Sequence, residues 1–231
     1  MKTEQWSIDW VHKARACMAA NENPMNSVAM KSYMKDNFLF YGIPKPQRAL
    51  LAKDFFINYG VPNENQFRSV VHLLWDEPYR ELHYLAMDIL YRNRKHFQAE
   101  DIFLFEELMR THSWWDSIDY ISPTLCFNLF AKFPHIKEST LKRWNLESDF
   151  WIRRASIIAQ LKEKDKIDRQ LQLNLISTQL NEKEFFIRKA IGWSLREMAK
   201  TYPETVLRFA NSNHLSKLSR KEALKYIVLV D

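Results

Sequence analysis

Seven consecutive residues, Ser113-Trp114-Trp115-Asp116-Ser117-Ile118-Asp119, carry the most informative chemistry in this 231-residue chain. Ser113 followed by Asp116 reads as a helix start, a capping-box variant with Asp in the usual Glu or Gln position. Trp115 and Asp119 are then four residues apart and project from one helical face. Two readings stand. Trp115 is core and Asp119 a surface carboxylate or the partner of an arginine; or the pair is an aromatic wall with an anionic group, which suits a cationic substrate. Trp193 lies one turn beyond Lys189 and one turn before Arg196 and Glu197, so its helical neighbours are partly polar. Such a tryptophan faces a ligand or seals the edge of a core. Arg154 falls three residues after Trp151 and four before Ile158, at the border of an apolar stripe, where it anchors a phosphate or pairs with a carboxylate.

Helices must position these groups. From Pro78, Leu82, Leu85, Ala86, Ile89 and Leu90 recur at helical spacing, with proline suited to the first turn. From the cap-type residues Ser148 and Asp149, a second stripe runs through Ile152, Ala155 and Ala159. Short loops are expected around Pro44–Pro46, Pro62–Asn65, Pro134 and Pro203. An internal repeat is visible. Phe150-Trp151-Ile152-Arg153-Arg154-Ala155 returns 35 residues later as Phe185-Phe186-Ile187-Arg188-Lys189-Ala190, with a fainter copy at Arg220-Lys221-Glu222-Ala223. A period of this length with two helices per unit predicts an α-solenoid, in which each unit buries its apolar face against its neighbours. The repeat also sets Arg153, Arg154, Arg188, Lys189 and Arg220 near successive helix starts. Free N–H groups and partial positive charge there predict a stripe of phosphate sites.

Composition narrows the class. Three glycines exclude a glycine-rich phosphate loop and disfavour a turn-rich β fold. The net charge of +6 favours a polyanionic partner, and 14% aromatic residues with eight tryptophans suit a nucleic-acid surface or a helical core. Cys17 and Cys126 are too few for a disulfide framework or a four-cysteine zinc site and read as free thiols. No apolar run is long enough to span a bilayer and the first residues carry no signal-peptide core, so a cytoplasmic protein is expected. The seven histidines are scattered and no HExxH occurs, so no metal is implied.

Together these segments resemble the AlkD family of bacterial DNA alkylation repair glycosylases over most of the chain. The stations are Tyr33-Met34-Lys35 with Phe38 to Ile43, Pro46-Gln47-Arg48, Trp75 to Glu81, Ser113 to Asp119, Trp151 to Ala155, Glu184 to Trp193, and Leu218 to Ala223. The resemblance implies a single all-α domain over 1–231, an α-α superhelix of HEAT-like helical repeats with a basic concave face. It implies a cofactor-free, monomeric enzyme that removes N3- and N7-alkylated purines, such as 3-methyladenine and 7-methylguanine, from duplex DNA. The positions matching the active-site cleft are Trp115, Asp119 and Trp193, and Arg154 matches the phosphate-binding arginine. Tyr33, Lys45, Arg48, Arg153, Arg188, Lys189, Arg196 and Arg220 join it as DNA-binding candidates. The loop Gly42-Ile43-Pro44-Lys45-Pro46 carries an extra proline relative to the family pattern, which puts contacts there in doubt.

The chemistry implied is hydrolytic. A cationic purine is a good leaving group, and the sugar passes through an oxocarbenium-like state that Asp119 stabilises while orienting water. No lysine is placed as a Schiff-base nucleophile, although Lys189 sits near the site, so an abasic product without strand cleavage is expected. The competing expectations are a non-catalytic binder of bent or branched DNA and a protein-interaction scaffold.

Overall fold

A computed structural model describes residues 2–227. Among them the ordered elements are helices, with one isolated bridge pairing Leu39 and Tyr79. The all-α class expected from the scarcity of glycine is what forms. The chain divides into two compact units, Met1–Phe97 and Gln98–Asp231.

The first unit contains α1 (Lys2–Ala19), α2 (Pro24–Tyr33), α3 (Lys45–Tyr59), α4 (Phe67–Trp75) and α5 (Arg80–Arg92). Pro78 lies just outside α5, which starts two residues later than its periodicity suggests. The joint of this unit is a fully buried carboxylate. Glu81 accepts the N–H groups of Tyr41, Gly42 and Ile43 at 3.1, 2.9 and 3.1 Å. Arg80, also fully buried, lies 3.8 Å from the centroid of the Phe38 ring and meets His83 Nδ1 at 3.1 Å. Gly42 is obligatory here. Its φ is +88°, and a Cβ would stand 2.1 Å from the Asn23 carbonyl oxygen.

The second unit contains α6 (Asp101–Arg110), α7 (Trp115–Tyr120), α8 (Phe127–Lys132), α9 (Lys137–Asn145), α10 (Phe150–Ile158), α11 (Arg169–Ser177), α12 (Phe185–Ala199), α13 (Pro203–Ser212) and α14 (Lys217–Ala223). Here the repeat is visible in space. Helix α10 packs on α12 and α12 on α14, while α9 packs on α10 and α11. The apolar positions Ile152, Ala155, Ile187, Ala190 and Ala223 are buried between these neighbours, as a repeat that cannot bury its own face requires. Between α7 and α8, Ile121–Cys126 forms a π-helical turn containing Pro123. Proline cannot donate the ordinary i→i−4 bond, and the wider turn keeps the helix continuous around it.

Two polar clusters fix the packing. Glu106 on α6 accepts from Arg110 at 2.7 Å, from Arg143 at 2.6 Å and from the buried Trp144 indole at 2.9 Å. Burial pushes its carboxyl upward, but these bonds from Arg143, Trp144 and Arg110 prevail and hold it down at about 2. On the other side of the unit, Gly192 lets α14 close on α12. A Cβ there would stand 2.5 Å from Glu222 Cβ and 3.0 Å from the Ser219 carbonyl oxygen.

Two outcomes follow from these clusters. Gly192→Ala gains about 0.8–1.0 kcal/mol of helix propensity, yet it is expected to lower the thermal midpoint because neither neighbour is a flexible chain end; a raised midpoint would contradict the close approach. Glu106 has a folded pKa below its ordinary value of about 4.5. Its stabilisation is therefore present above that value and is lost as pH falls from there toward 2. Thermal melts between pH 6 and 2.5 should show Glu106→Gln several degrees less stable than wild type at pH 6, with the gap closing as the pH drops.

Candidate active site

Residues of α7, α10 and α12 assemble a cation–carboxylate centre. Asp119, on the last turn of α7, takes a bidentate clasp from Arg154 of α10, Nε to Oδ1 and Nη2 to Oδ2, both at 2.8 Å. The third arm of the guanidinium, Nη1, donates to the carbonyl of Phe186 on α12. Arg154 is 4% exposed, whereas the Asp119 side chain keeps 20% of its surface open to solvent. Burial pushes the Asp119 carboxyl above its ordinary range, more strongly than Arg154 pulls it down, and Asp116 adds to the upward push. A carboxylate offers about four acceptor positions. Arg154 uses two and leaves others for a water or a ligand.

Aromatic rings surround this centre. Trp114 packs against Trp151 and Phe186 at centroid distances of 5.5 and 5.6 Å, and Trp151 meets Phe186 at 4.7 Å. The Trp114 Nε1 hydrogen is buried without an acceptor among the described residues. Trp115, four residues before Asp119, is half-buried on the same helical face. Trp193, also half-buried, lies seven residues beyond Phe186 on α12, two turns along the same face. Trp114, Trp151 and Phe186 were not singled out from the sequence. For Trp151 and Phe186 the signal is the aromatic pair that precedes Ile-Arg-Arg and Ile-Arg-Lys, which falls at helix positions one and two; Trp114, at the N-cap of α7, has no such mark.

The local start of α7 differs from its expected form. Ser113 does not cap the helix; its hydroxyl donates to the Met109 carbonyl at 2.6 Å, and Trp114 occupies the N-cap position without a side-chain cap. Ser113 therefore closes the end of α6, and His112 before it takes a left-handed φ of 51° to make the turn. Asp149 does cap α10, accepting from the Trp151 N–H at 2.8 Å.

The arginine register is regular, but the duties within it differ. Arg153 donates to the carbonyls of Glu147 and Ser148 at 2.7 and 2.8 Å and to Glu182 at 2.7 Å. Arg220 donates to the Ala210 carbonyl and to Asn211 Oδ1. Both brace the chain leaving the preceding helix, satisfying carbonyls that helix ends leave open. Lys189 and Arg196 converge on Glu222, Lys189 at 2.9 Å, and the Lys189 ammonium leads the other cations in holding the Glu222 carboxyl low. The register thus repeats a starting position, while the partners differ from one copy to the next. Tyr33, Lys45 and Arg48 belong to the first unit. Tyr33 is 69% exposed, Lys45 is exposed at the start of α3, and Arg48 lies 4.1 Å from the Tyr84 ring centroid. Among the described residues no three His, Cys, Asp or Glu side chains gather as a metal-ligand set, and no described helix is long and apolar enough to cross a membrane.

The family described as DNA alkylation repair enzyme matches residues 14–227, a span that includes all of these positions. The chain belongs to that family. A solved structure described as a predicted DNA alkylation repair enzyme from Enterococcus faecalis is similar to it, with a TM-score of 0.84 and 30% identity over 90% of this chain and 97% of that one. Comparison with curated proteins finds no match. Membership of the DNA alkylation repair family gives the chain a role in DNA repair. It also sorts the matching stretches physically. In this family member, Phe38–Ile43 and Trp75–Glu81 form the buried joint of the first unit, while Ser113–Asp119 and Trp151–Ala155 meet at the centre around Asp119.

Removing one partner of a buried ion pair is costly, about 3–5 kcal/mol, because the other charge is left uncompensated. Arg154→Ala is therefore expected to lower stability by an amount of that order in chemical denaturation. Adding Asp119→Asn should restore part of the loss; a double variant no more stable than Arg154→Ala alone would show that the pair is not the source.

Proposed function

We propose that the protein is a monofunctional DNA N-glycosylase that hydrolyses the N-glycosidic bond of cationic N3- and N7-alkylated purines, such as 3-methyladenine and 7-methylguanine, in duplex DNA. The observation that carries this reading is the Asp119 carboxylate, fixed by Arg154, partly solvent-open, with the half-buried Trp115 one helical turn before it. Alkylation places a positive charge on the purine. Its bond to C1′ breaks with the electron pair going to the base, which leaves neutral, and the sugar develops oxocarbenium character. A carboxylate beside that sugar lowers the barrier electrostatically. A water held on the free lone pairs of Asp119 adds to C1′ and gives up its proton to the carboxylate or to solvent, leaving an abasic site. The faces of Trp115 and Trp193 stabilise cationic base and sugar, each by roughly 0.5–2 kcal/mol.

Two further features support hydrolysis without strand cleavage. Lys189, the lysine nearest Trp193 in sequence, holds its side-chain nitrogen on Glu222 at 2.9 Å, where it is engaged rather than poised as a nucleophile. The carboxyl of Asp119, by contrast, sits high for an aspartate and is suited to taking a proton. The protein acts on duplex DNA as a cytoplasmic monomer in this reading, and no cofactor enters the chemistry.

The test is a duplex with a single 7-methylguanine, incubated with the protein and then cleaved at abasic sites with hot alkali. Wild type is expected to yield a break at the lesion only after alkali, and Asp119→Asn to slow excision about 10²–10³-fold. Because the ionised carboxylate is the active form, excision should fall as pH drops through a value above the ordinary aspartate range. Tight duplex binding with no excision of either 7-methylguanine or 3-methyladenine would instead favour a non-catalytic binder of bent or branched DNA.

A further inference from the structure

The three arginines of the repeat register occupy the same helical position on α10, α12 and α14, yet only one has an uncommitted guanidinium. Arg153 gives its terminal nitrogens to two carbonyls and to Glu182, and Arg220 gives its own to the Ala210 carbonyl and Asn211. Arg188, half-buried between them, has no acceptor for its guanidinium among the described residues. The carboxylates nearest in sequence are engaged by other donors. Glu184, four residues before it, caps the Phe186 N–H, and Glu182 takes Arg153 and the N–H groups of Lys183 and Glu184. The buried Nε of Arg153 is also unmet, so an orphaned Nε does not separate the two arginines. The free fork does.

The place of Arg188 gives the free fork a meaning. It sits two residues after Phe186, whose carbonyl holds the Arg154 that clasps Asp119. An arginine fork presents parallel donors that match phosphate oxygens and is drawn to them where no carboxylate competes. Lys183, exposed just before α12, adds a second cation without a carboxylate partner among the described residues. Lys189 and Arg196 cannot serve equally, because both are tied to Glu222, whose single carboxylate offsets one of their two charges. We infer that Arg188 is the arginine of the register that takes a backbone phosphate of the bound duplex, and that Arg153 and Arg220 are braces of the repeat stack. This rests on the duplex-DNA reading above and assigns one of its phosphate contacts.

Fluorescence anisotropy with an unmodified duplex, titrated from about 50 to 200 mM NaCl and paired with thermal melts, separates the roles. Arg188→Ala and Arg188→Gln are expected to weaken binding about tenfold and to reduce the slope of log K against log salt by about 1, with melting unchanged. Arg153→Ala and Arg220→Ala should instead lower the melting midpoint by several degrees while keeping the wild-type slope at temperatures where they remain folded. Wild-type affinity and slope in both Arg188 variants would overturn the assignment, and so would early melting of both. If wild type itself shows no salt-dependent duplex binding, the duplex reading falls along with it; if wild type binds and only the Arg188 variants fail to change, the duplex reading stands and this assignment alone is lost.

Discussion

A guanidinium taken out of water must find acceptors for its donors, and in this protein Arg154 finds them on two different helices. The carboxylate of Asp119 comes from α7 and the carbonyl of Phe186 from α12, with the arginine itself on α10 between them. Three elements of the second unit are thereby held at fixed spacing around one cation. Hydrophobic burial alone is non-directional and would tolerate sliding of α10 along α12. A three-armed polar contact does not, since a small slip leaves a buried charge unpaired. The aromatic layer of Trp114, Trp151 and Phe186 packs around this contact and limits access of water to it.

The first unit uses the same device with the signs exchanged. There the buried ion is a carboxylate, Glu81, and its partners are three successive backbone N–H groups of the Tyr41–Ile43 segment. A chain that turns through the left-handed geometry of Gly42 aims those N–H groups inward, and the carboxylate meets them. Both units therefore locate an irregular or strained stretch by giving a buried ion several donors or acceptors at once. The same logic governs Glu106, whose bonds to Arg110, Arg143 and Trp144 tie α6 to α9.

How far the sequence announces this depends on the range of the interaction. Helical periodicity and the 35-residue repeat are local or nearly local signals, and the stacking of α10, α12 and α14 follows from them. Asp149 as an N-cap was legible for the same reason. Ser113 was misread because its hydroxyl had two carbonyls or N–H groups in reach, one on each side, and the turn at His112 selects the backward one. The arginine register shows the limit most clearly. Arg153 and Arg188 share their sequence context over several residues and Arg220 repeats it faintly, but the partners of Arg153 and Arg220 lie some five to ten residues upstream, or further away, and Arg188 has none among the described residues. Repetition fixes where a side chain starts and says nothing of where its acceptors are. The alternatives left open for Arg154, phosphate anchor or carboxylate partner, narrow in the same way: the carboxylate contact is visible, and it engages the residue through which Asp119 is held. The aromatic pairs at the helix starts were visible as sequence but looked like core, and half of their role is core.

The π-helical turn at Ile121–Cys126 sets the phase of everything around it. Each hydrogen-bonded ring there encloses one residue more than an α-turn, so the helix upstream is rotated by roughly 100° relative to where an uninterrupted α-helix would carry it. Asp119, just before the turn, and Ser122, three residues on and so on the same helical face, both reach α10, where Ser122 donates to the Ala155 carbonyl at 2.7 Å. The length of this turn is thus a counting constraint on the chain. Substitutions within it are tolerated or not according to packing, but removal or insertion of a single residue turns Asp119 out of alignment with Arg154 even if every side chain around the centre is kept. Among natural variants of this segment, changes of residue type should be far commoner than changes of length.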